Sequence, residues 1–166
     1  IGMTVGAGGT ILKTIDGGTS WTSQSSGTGS TLEDVSFIDV NTGTAVGWGG
    51  TILRTTDGGT TWNSQSSGTT NDFLDVSFTD TNTGVVVGKG GIILRTTDGG
   101  ATWFTQISGT INLLRGVFFS NTNNGTVVGQ GTILKTTNGG TAWVPQTSPT
   151  QSLLYAASFT DVNNGW

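Results

Sequence analysis

An eight-residue pattern that ends in tryptophan occurs four times in this chain of 166 residues. The four copies occupy residues 14–21, 55–62, 96–103 and 136–143. The glycines that open the glycine-rich segments, Gly2, Gly43, Gly84 and Gly125, follow one another at intervals of 41 residues. A period of this length predicts an array of similar structural units that bury their apolar faces against one another.

Each unit divides into four short segments, named here strands A to D. In the third unit these strands are predicted at residues 73–78, 84–88, 92–96 and 102–106. The 29 glycines and the many Thr, Ser and Val residues favour short strands and tight turns, and no window shows the sustained 3.6-residue spacing of a helix. Four strands per repeat predict an all-β fold, a β-propeller built from four-stranded antiparallel blades.

Residues 1–166 are predicted to form one propeller or one segment of a propeller. The complete units are 28–68, 69–109 and 110–149, whereas 1–27 form a partial blade that lacks strand A. Residues 150–166 carry the missing strand A, so they could complete that blade within one chain. The alternatives are pairing with a second copy of the chain, or a larger ring in a longer protein.

Turn chemistry explains the recurring pattern in structural terms. Its acid can accept hydrogen bonds from backbone amides across the C-to-D turn, its glycines permit positive φ, and its tryptophan can pack between blades. Asn in the fourth copy keeps the acceptor without the charge. The residues given this structural role are Asp16, Trp21, Asp57, Trp62, Asp98, Trp103, Asn138 and Trp143.

The four copies, TIDGGTSW, TTDGGTTW, TTDGGATW and TTNGGTAW, resemble the Asp box of bacterial neuraminidase (BNR) repeats. The longer string AVGWGGTILRTTDGGTTWNSQSSG at 45–68 is similar to the photosystem II stability and assembly factor family and its non-photosynthetic bacterial relatives. The resemblance covers essentially the whole chain. It implies a propeller that acts as a binding or assembly scaffold and not as an enzyme. An arginine-rich patch serves partner binding in that family, and Arg54 and Arg95 are the nearest matches to it.

Composition narrows the range of functions. A net charge of −4 with six Lys and Arg residues argues against a nucleic-acid partner. The chain has no Cys and no His, which removes thiol and imidazole chemistry and ordinary zinc sites, so no cofactor and no metal are predicted. No apolar run is long enough to predict membrane insertion. The Gly-, Thr-, Ser- and Asn-rich composition is typical of bacterial secreted proteins, so we expect an extracellular or cell-surface location, although no signal peptide is visible.

Differences among the units indicate where a partner could bind. The B-to-C loops and the D-to-A links are expected on one face of the propeller, here called the B-to-C face. The tips of the B-to-C loops are Ala7, Trp48, Lys89 and Gln130, and one column of strand A reads Glu33, Leu74, Arg115 and Tyr155. We therefore predict that a protein, peptide or glycan is recognised by Trp48, Lys89, Gln130, Arg115 and Tyr155.

Two other functions fit the sequence less well. A structural cell-surface or filament subunit would form homo-oligomers by strand completion between chains. A sialidase-like glycoside hydrolase would need three converging arginines, a tyrosine and acidic partners, and the candidates Arg54, Arg95, Arg115, Tyr155 and Glu33 are too sparse for that site. The sequence therefore predicts that the chain is not an enzyme.

Overall fold

The computed structural model describes residues 1–161 and 164–165, and within them the strands form four antiparallel sheets of consecutive strands. Sheet 1 contains β1 (Gly2–Val5), β2 (Ile11–Thr14) and β3 (Thr22–Gln24). Sheet 2 contains β4 (Leu32–Phe37), β5 (Gly43–Gly47), β6 (Thr51–Thr55) and β7 (Asn63–Gln65). Sheet 3 contains β8 (Phe73–Phe78), β9 (Gly84–Gly88), β10 (Ile93–Thr96) and β11 (Phe104–Thr105). Sheet 4 contains β12 (Leu114–Phe119), β13 (Gly125–Gly129), β14 (Thr132–Thr136) and β15 (Val144–Gln146).

The only helical elements in the described part of the chain are three single turns of 3₁₀ helix. They form the B-to-C loops of the first three units, at Ala7–Gly9, Trp48–Gly50 and Lys89–Gly91. No helix among the described residues has the length and apolarity to cross a membrane. The all-β fold and the A-to-D strand order predicted from the sequence are confirmed.

The core consists of three apolar layers, each shared by two consecutive sheets. In one layer Val85 and Ile93 of sheet 3 pack with Leu114 and Trp143 of sheet 4. The other layers join sheet 1 to sheet 2 and sheet 2 to sheet 3 in the same way. Consecutive blades are therefore stabilised mainly by the apolar surface that they bury against each other.

The Asp box has the predicted turn structure. In the second unit, Oδ1 of Asp57 accepts the backbone N–H of Thr61 at 2.9 Å and Oδ2 accepts the Thr61 hydroxyl at 2.6 Å. The Thr55 hydroxyl donates to Asp57 at 2.9 Å and accepts the N–H of Gly59 at 2.8 Å. The hydrogen bonds from Thr61 lower the pKa of Asp57 to about 2. Gly58 and Gly59 have φ of 68° and 80°, a region that favours glycine.

The tryptophans of three Asp boxes pack between blades, as predicted. Trp62, Trp103 and Trp143 each make an edge-to-face contact with a phenylalanine at the end of strand A in their own sheet. Each also contacts the layer shared with the preceding sheet. Trp21 belongs to sheet 1, which no described sheet precedes, and it remains 44% exposed.

The two arginines that precede the Asp boxes of sheets 2 and 3 connect consecutive sheets. Arg54 is buried, donates to the carbonyl of Thr81 at 2.6 Å and lies 4.7 Å from the centre of the Phe78 ring. Arg95 donates to the carbonyl of Gly139 at 2.7 Å. Both arginines thus take part in contacts between consecutive sheets.

The described residues of the C-terminal segment form no strand pairing with sheet 1. Leu154 donates its N–H to the carbonyl of Gly129 in sheet 4, as Leu32 donates to Gly6 in sheet 1, so residues 153–159 follow sheet 4 as a strand A would. They make an isolated bridge to Gln130 and none to β1. Sheet 1 has three strands in the described residues, and its completion by 150–166, within one chain or between two, stays a prediction. Of that segment, residues 162, 163 and 166 lie outside the described residues.

Candidate functional site

The B-to-C loop tips lie beside the start of strand A. The backbone N–H groups of Trp48, Lys89 and Gln130 donate to the carbonyls of the residues that precede β4, β8 and β12, at distances of 2.9, 3.0 and 2.9 Å. Strand A also contains a bulge at Glu33 in β4 and at the equivalent positions in β8 and β12. A bulge takes one residue out of the ladder and changes the direction of its side chain. The loop tips therefore lie next to the start of strand A on the B-to-C face.

Glu33 holds the indole of Trp48 in place. The Trp48 Nε1–H donates to Glu33 Oε1 at 2.7 Å. Glu33 Oε2 lies 3.8 Å from Nη2 of Arg115, whose Nη1 donates to the carbonyl of Leu74 at 3.0 Å. Arg115 thus extends from sheet 4 across sheet 3 to sheet 2. The Glu33 carboxylate therefore connects Trp48, at the loop tip of the second unit, to Arg115 in strand A of the fourth unit.

Asp72 joins two neighbouring loop tips. Its Oδ1 accepts the N–H of Gly49 at 2.9 Å, and its Oδ2 forms an ion pair with Nζ of Lys89 at 2.7 Å. These hydrogen bonds, first from Lys89 and then from Gly49, lower the pKa of Asp72. The Lys89 ammonium also lies 5.5 Å from the centre of the Trp48 ring, within the range of a cation–π contact.

Glu33, Trp48, Asp72, Lys89 and Arg115, here called the rim cluster, combine a fixed aromatic ring with balanced charge. Trp48 is 47% exposed, and two carboxylates face two cations. A ligand could therefore stack on the indole, and its charged groups could exchange with the internal ion pairs. Such an arrangement suits non-covalent recognition, because polar groups around an aromatic ring give orientation to a ligand.

The side chains of Gln130 and Tyr155 do not join the rim cluster in the described structure. The carbonyl of Gln130 accepts Nδ2–H of Asn112 at 3.0 Å, and its backbone pairs with Leu153. Tyr155 is 68% exposed on the segment that follows sheet 4. In the described part of the chain, neither side chain reaches the rim cluster by a hydrogen bond, ion pair or ring contact. Their role in binding stays a prediction.

Asp72 is a site residue that the sequence comparison did not single out. The equivalent positions in the second and fourth units are Thr31 and Leu113, so an acid occurs there in the third unit but not in those two. The acid at position 72 departs from the repeat in the sequence. Its contact could not be predicted from the sequence, because Asp72 accepts the N–H of Gly49, which belongs to the preceding unit.

Two further carboxyl groups link consecutive A strands. The N–H of Val76 donates to Asp34 Oδ2 at 3.0 Å and to Asp75 Oδ1 at 2.9 Å, and the N–H of Val117 donates to Asp75 Oδ2 at 2.6 Å. Burial, followed by the hydrogen bond to Asp34, raises the pKa of Asp75 to about 8. These groups tie the backbones of neighbouring sheets. Their contacts give each carboxyl a structural role.

The comparison with known protein families decides the family. Residues 22–109 and 62–145 match the model of the family described as photosynthesis system II assembly factor YCF48. The chain belongs to this family. The resemblance drawn from the repeats is thereby confirmed.

Solved YCF48 structures share the fold. A structure described as YCF48 bound to D1 peptide is 25% identical, with a TM-score of 0.74, and the match covers 95% of this chain and 53% of that one. YCF48 from Cyanidioschyzon merolae is 18% identical, with a TM-score of 0.75, and the match covers 98% and 61%. The chain thus spans roughly half to three fifths of these YCF48 chains.

An enzyme also shares the architecture. An ancestral GH74 enzyme is 16% identical, with a TM-score of 0.70, over 89% of this chain and 22% of that chain, a likeness that shows the fold alone. No protein with a curated description matches the chain significantly in sequence.

Proposed function

We propose that this chain is a non-enzymatic binding propeller that recognises a protein or peptide segment on its B-to-C face, with Trp48 at the centre of the contact. The observation that carries the proposal is the immobilised, half-exposed indole of Trp48, bonded to Glu33 and covered on one side by Lys89. The YCF48 structure bound to a D1 peptide supports a peptide-type partner, because it shares the fold over 95% of this chain.

A binding surface whose side chains are ordered before the partner arrives loses less conformational entropy on binding. Tryptophan is among the residues that contribute most to interfaces when it is buried by a partner. Binding normally loses free energy when flexible side chains become fixed. Trp48 already donates to Glu33 and Lys89 already pairs with Asp72, so a ligand gains the buried ring surface with less of that loss. The A-strand carboxylates, by contrast, accept hydrogen bonds from backbone N–H groups of neighbouring sheets.

The test uses short peptides selected from a phage-displayed random library on the immobilised chain. We expect Trp48→Ala combined with Lys89→Ala to weaken their binding by about tenfold or more, because the central aromatic contact is lost. Trp48→Phe should have a smaller effect, since it keeps a ring but not the N–H bonded to Glu33. Thr56→Ala, on the opposite face, is the control. Equal affinity of the double variant and the wild type would exclude this site.

A second candidate is a structural subunit that completes sheet 1 between chains. It is favoured by the exposed Trp21, which occupies the position that a preceding blade covers in the other units. The proposal predicts concentration-dependent oligomers in light scattering that disappear when residues 152–166 are deleted. A strictly monomeric mass at all concentrations would rule it out.

A further inference from the structure

Isoleucine replaces a polar residue or glycine at three positions on the B-to-C face, two in the third unit and one at the start of the fourth. Ile92 stands where the other units have Thr10, Thr51 and Thr132. Ile107 stands where they have Ser25, Ser66 and Thr147. Ile111 stands where they have Gly29, Thr70 and Gln151.

The change at position 92 removes a hydrogen bond that the other units form. The hydroxyls of Thr10, Thr51 and Thr132 donate to carbonyls of their own B-to-C loops at 2.8, 2.7 and 2.9 Å. Ile92 cannot make this bond, and it packs instead against the apolar layer between sheets 2 and 3. A residue pattern that all repeats but one follow is expected to be broken at a functional site.

The three isoleucines line one open groove. Its volume is about 690 Å³, and its walls come from residues 90–92 and 105–111. Ile107 and Ile111 are 88% and 87% exposed, although their chemistry favours burial. None of the lining residues carries a charge. The groove therefore suits an uncharged ligand with apolar side chains.

The groove is continuous with the rim cluster. Its wall includes Gly90 and Gly91, which belong to the same 3₁₀ turn as Lys89. Its other wall begins at Thr105 of β11, the strand that ends the order of sheet 3 in the described residues. An outer strand offers backbone groups to an extended peptide.

We propose that this groove binds an uncharged, extended peptide segment with a branched aliphatic side chain, which continues from the rim cluster toward β11. The inference rests on the proposed function and extends it, because it names the part of the ligand that lies next to Lys89. A ligand of this kind would cover Ile107 and Ile111 and rest on Ile92. The same surface would favour an isoleucine peptide over a serine or glutamate peptide of equal length.

The experiment titrates the ¹⁵N-labelled chain with three capped peptides that carry isoleucine, serine or glutamate at one central position among threonines. Saturable amide shifts are expected for residues 90–92 and 105–111 with the isoleucine peptide. Ile107→Ser combined with Ile111→Thr, which installs the residues found one repeat earlier at Ser66 and Thr70, should weaken binding by about tenfold or more. Ile15→Thr is the matched control, since Ile15 is 77% exposed at the Asp-box turn and Thr56 is its second-unit equivalent.

The outcomes separate the groove from the rim cluster. Loss of binding in the isoleucine double variant, but not in Ile15→Thr, supports the groove. If only Trp48→Ala with Lys89→Ala loses binding, the rim cluster stands and the groove proposal is wrong. If the isoleucine double variant alone loses binding, the groove binds independently and Trp48 is not the centre of the contact. An isoleucine peptide that gives no saturable shifts, or that binds no better than the serine peptide, overturns the groove proposal.

Discussion

Replacing the Asp-box tryptophan by alanine should have unequal effects in the fourth and first units. Trp143 is 7% exposed and packs edge-to-face on Phe119 with ring centres 6.1 Å apart, whereas Trp21 is 44% exposed. A tryptophan side chain has up to about 250 Å² of accessible surface, so Trp143 buries about 90 Å² more than Trp21. At about 25 cal/mol per Å² of apolar surface, this area stabilises the fold by about 2 kcal/mol. Trp143→Ala should therefore cost about 4 kcal/mol, within the usual range for a buried Trp, and Trp21→Ala about 2 kcal/mol.

The assay is urea unfolding of both variants and the wild type, followed by circular dichroism. An unchanged m-value would show that the two variants lose stability and not compactness. Trp143→Phe serves as a control, because it keeps a ring against Phe119 and removes an indole N–H that is buried without a hydrogen-bond partner in the described structure. Equal losses for Trp143→Ala and Trp21→Ala would refute the reasoning that packing against the preceding sheet stabilises the box.

Two further predictions concern contacts between sheets. Asp75 holds a proton in the folded chain up to a pH of about 8 but releases it near pH 4 when unfolded, so the free energy of unfolding should fall as pH rises through that range. Asp75→Asn, which can still bond to Asp34, should flatten this dependence in urea unfolding at several pH values; a dependence as steep as in the wild type would contradict the buried-proton account. Arg54→Ala should cost about 2–3 kcal/mol because it leaves the carbonyl of Thr81 without its donor. Lys135→Ala, at the equivalent position in sheet 4, should change stability by less than about 0.5 kcal/mol, and similar losses for both would argue against the inter-sheet role of Arg54.

The repeats were sufficient to predict the blade but not the site. From local chemistry alone, the spacing of Asp57, Gly58, Gly59 and Trp62 predicts a hydrogen-bonded turn and a tryptophan that packs between blades. The structure has both features. The same reasoning treated all four tryptophans alike. The exposure of Trp21 depends on whether another sheet precedes it, which no local pattern encodes.

The rim cluster depends on distances between units. Trp48 and Lys89 were predicted from variation at the loop tips, and Glu33 and Arg115 belonged to a separate candidate column. The bulges in strand A and the packing of consecutive sheets bring them together, so that Arg115 reaches a carboxylate two sheets away. Neither feature has a sequence signal as clear as the Asp box, because bulges follow from ladder geometry and not from one residue type.

The most direct test of the binding site is a map of amide chemical-shift changes when a library-selected peptide is added to the ¹⁵N-labelled chain. The account predicts the largest changes at Trp48–Gly50 and Lys89–Gly91, with a shift of the Trp48 indole N–H that now donates to Glu33. Changes confined to the Asp-box turns on the opposite face, with the Trp48 indole signal unmoved, would contradict it.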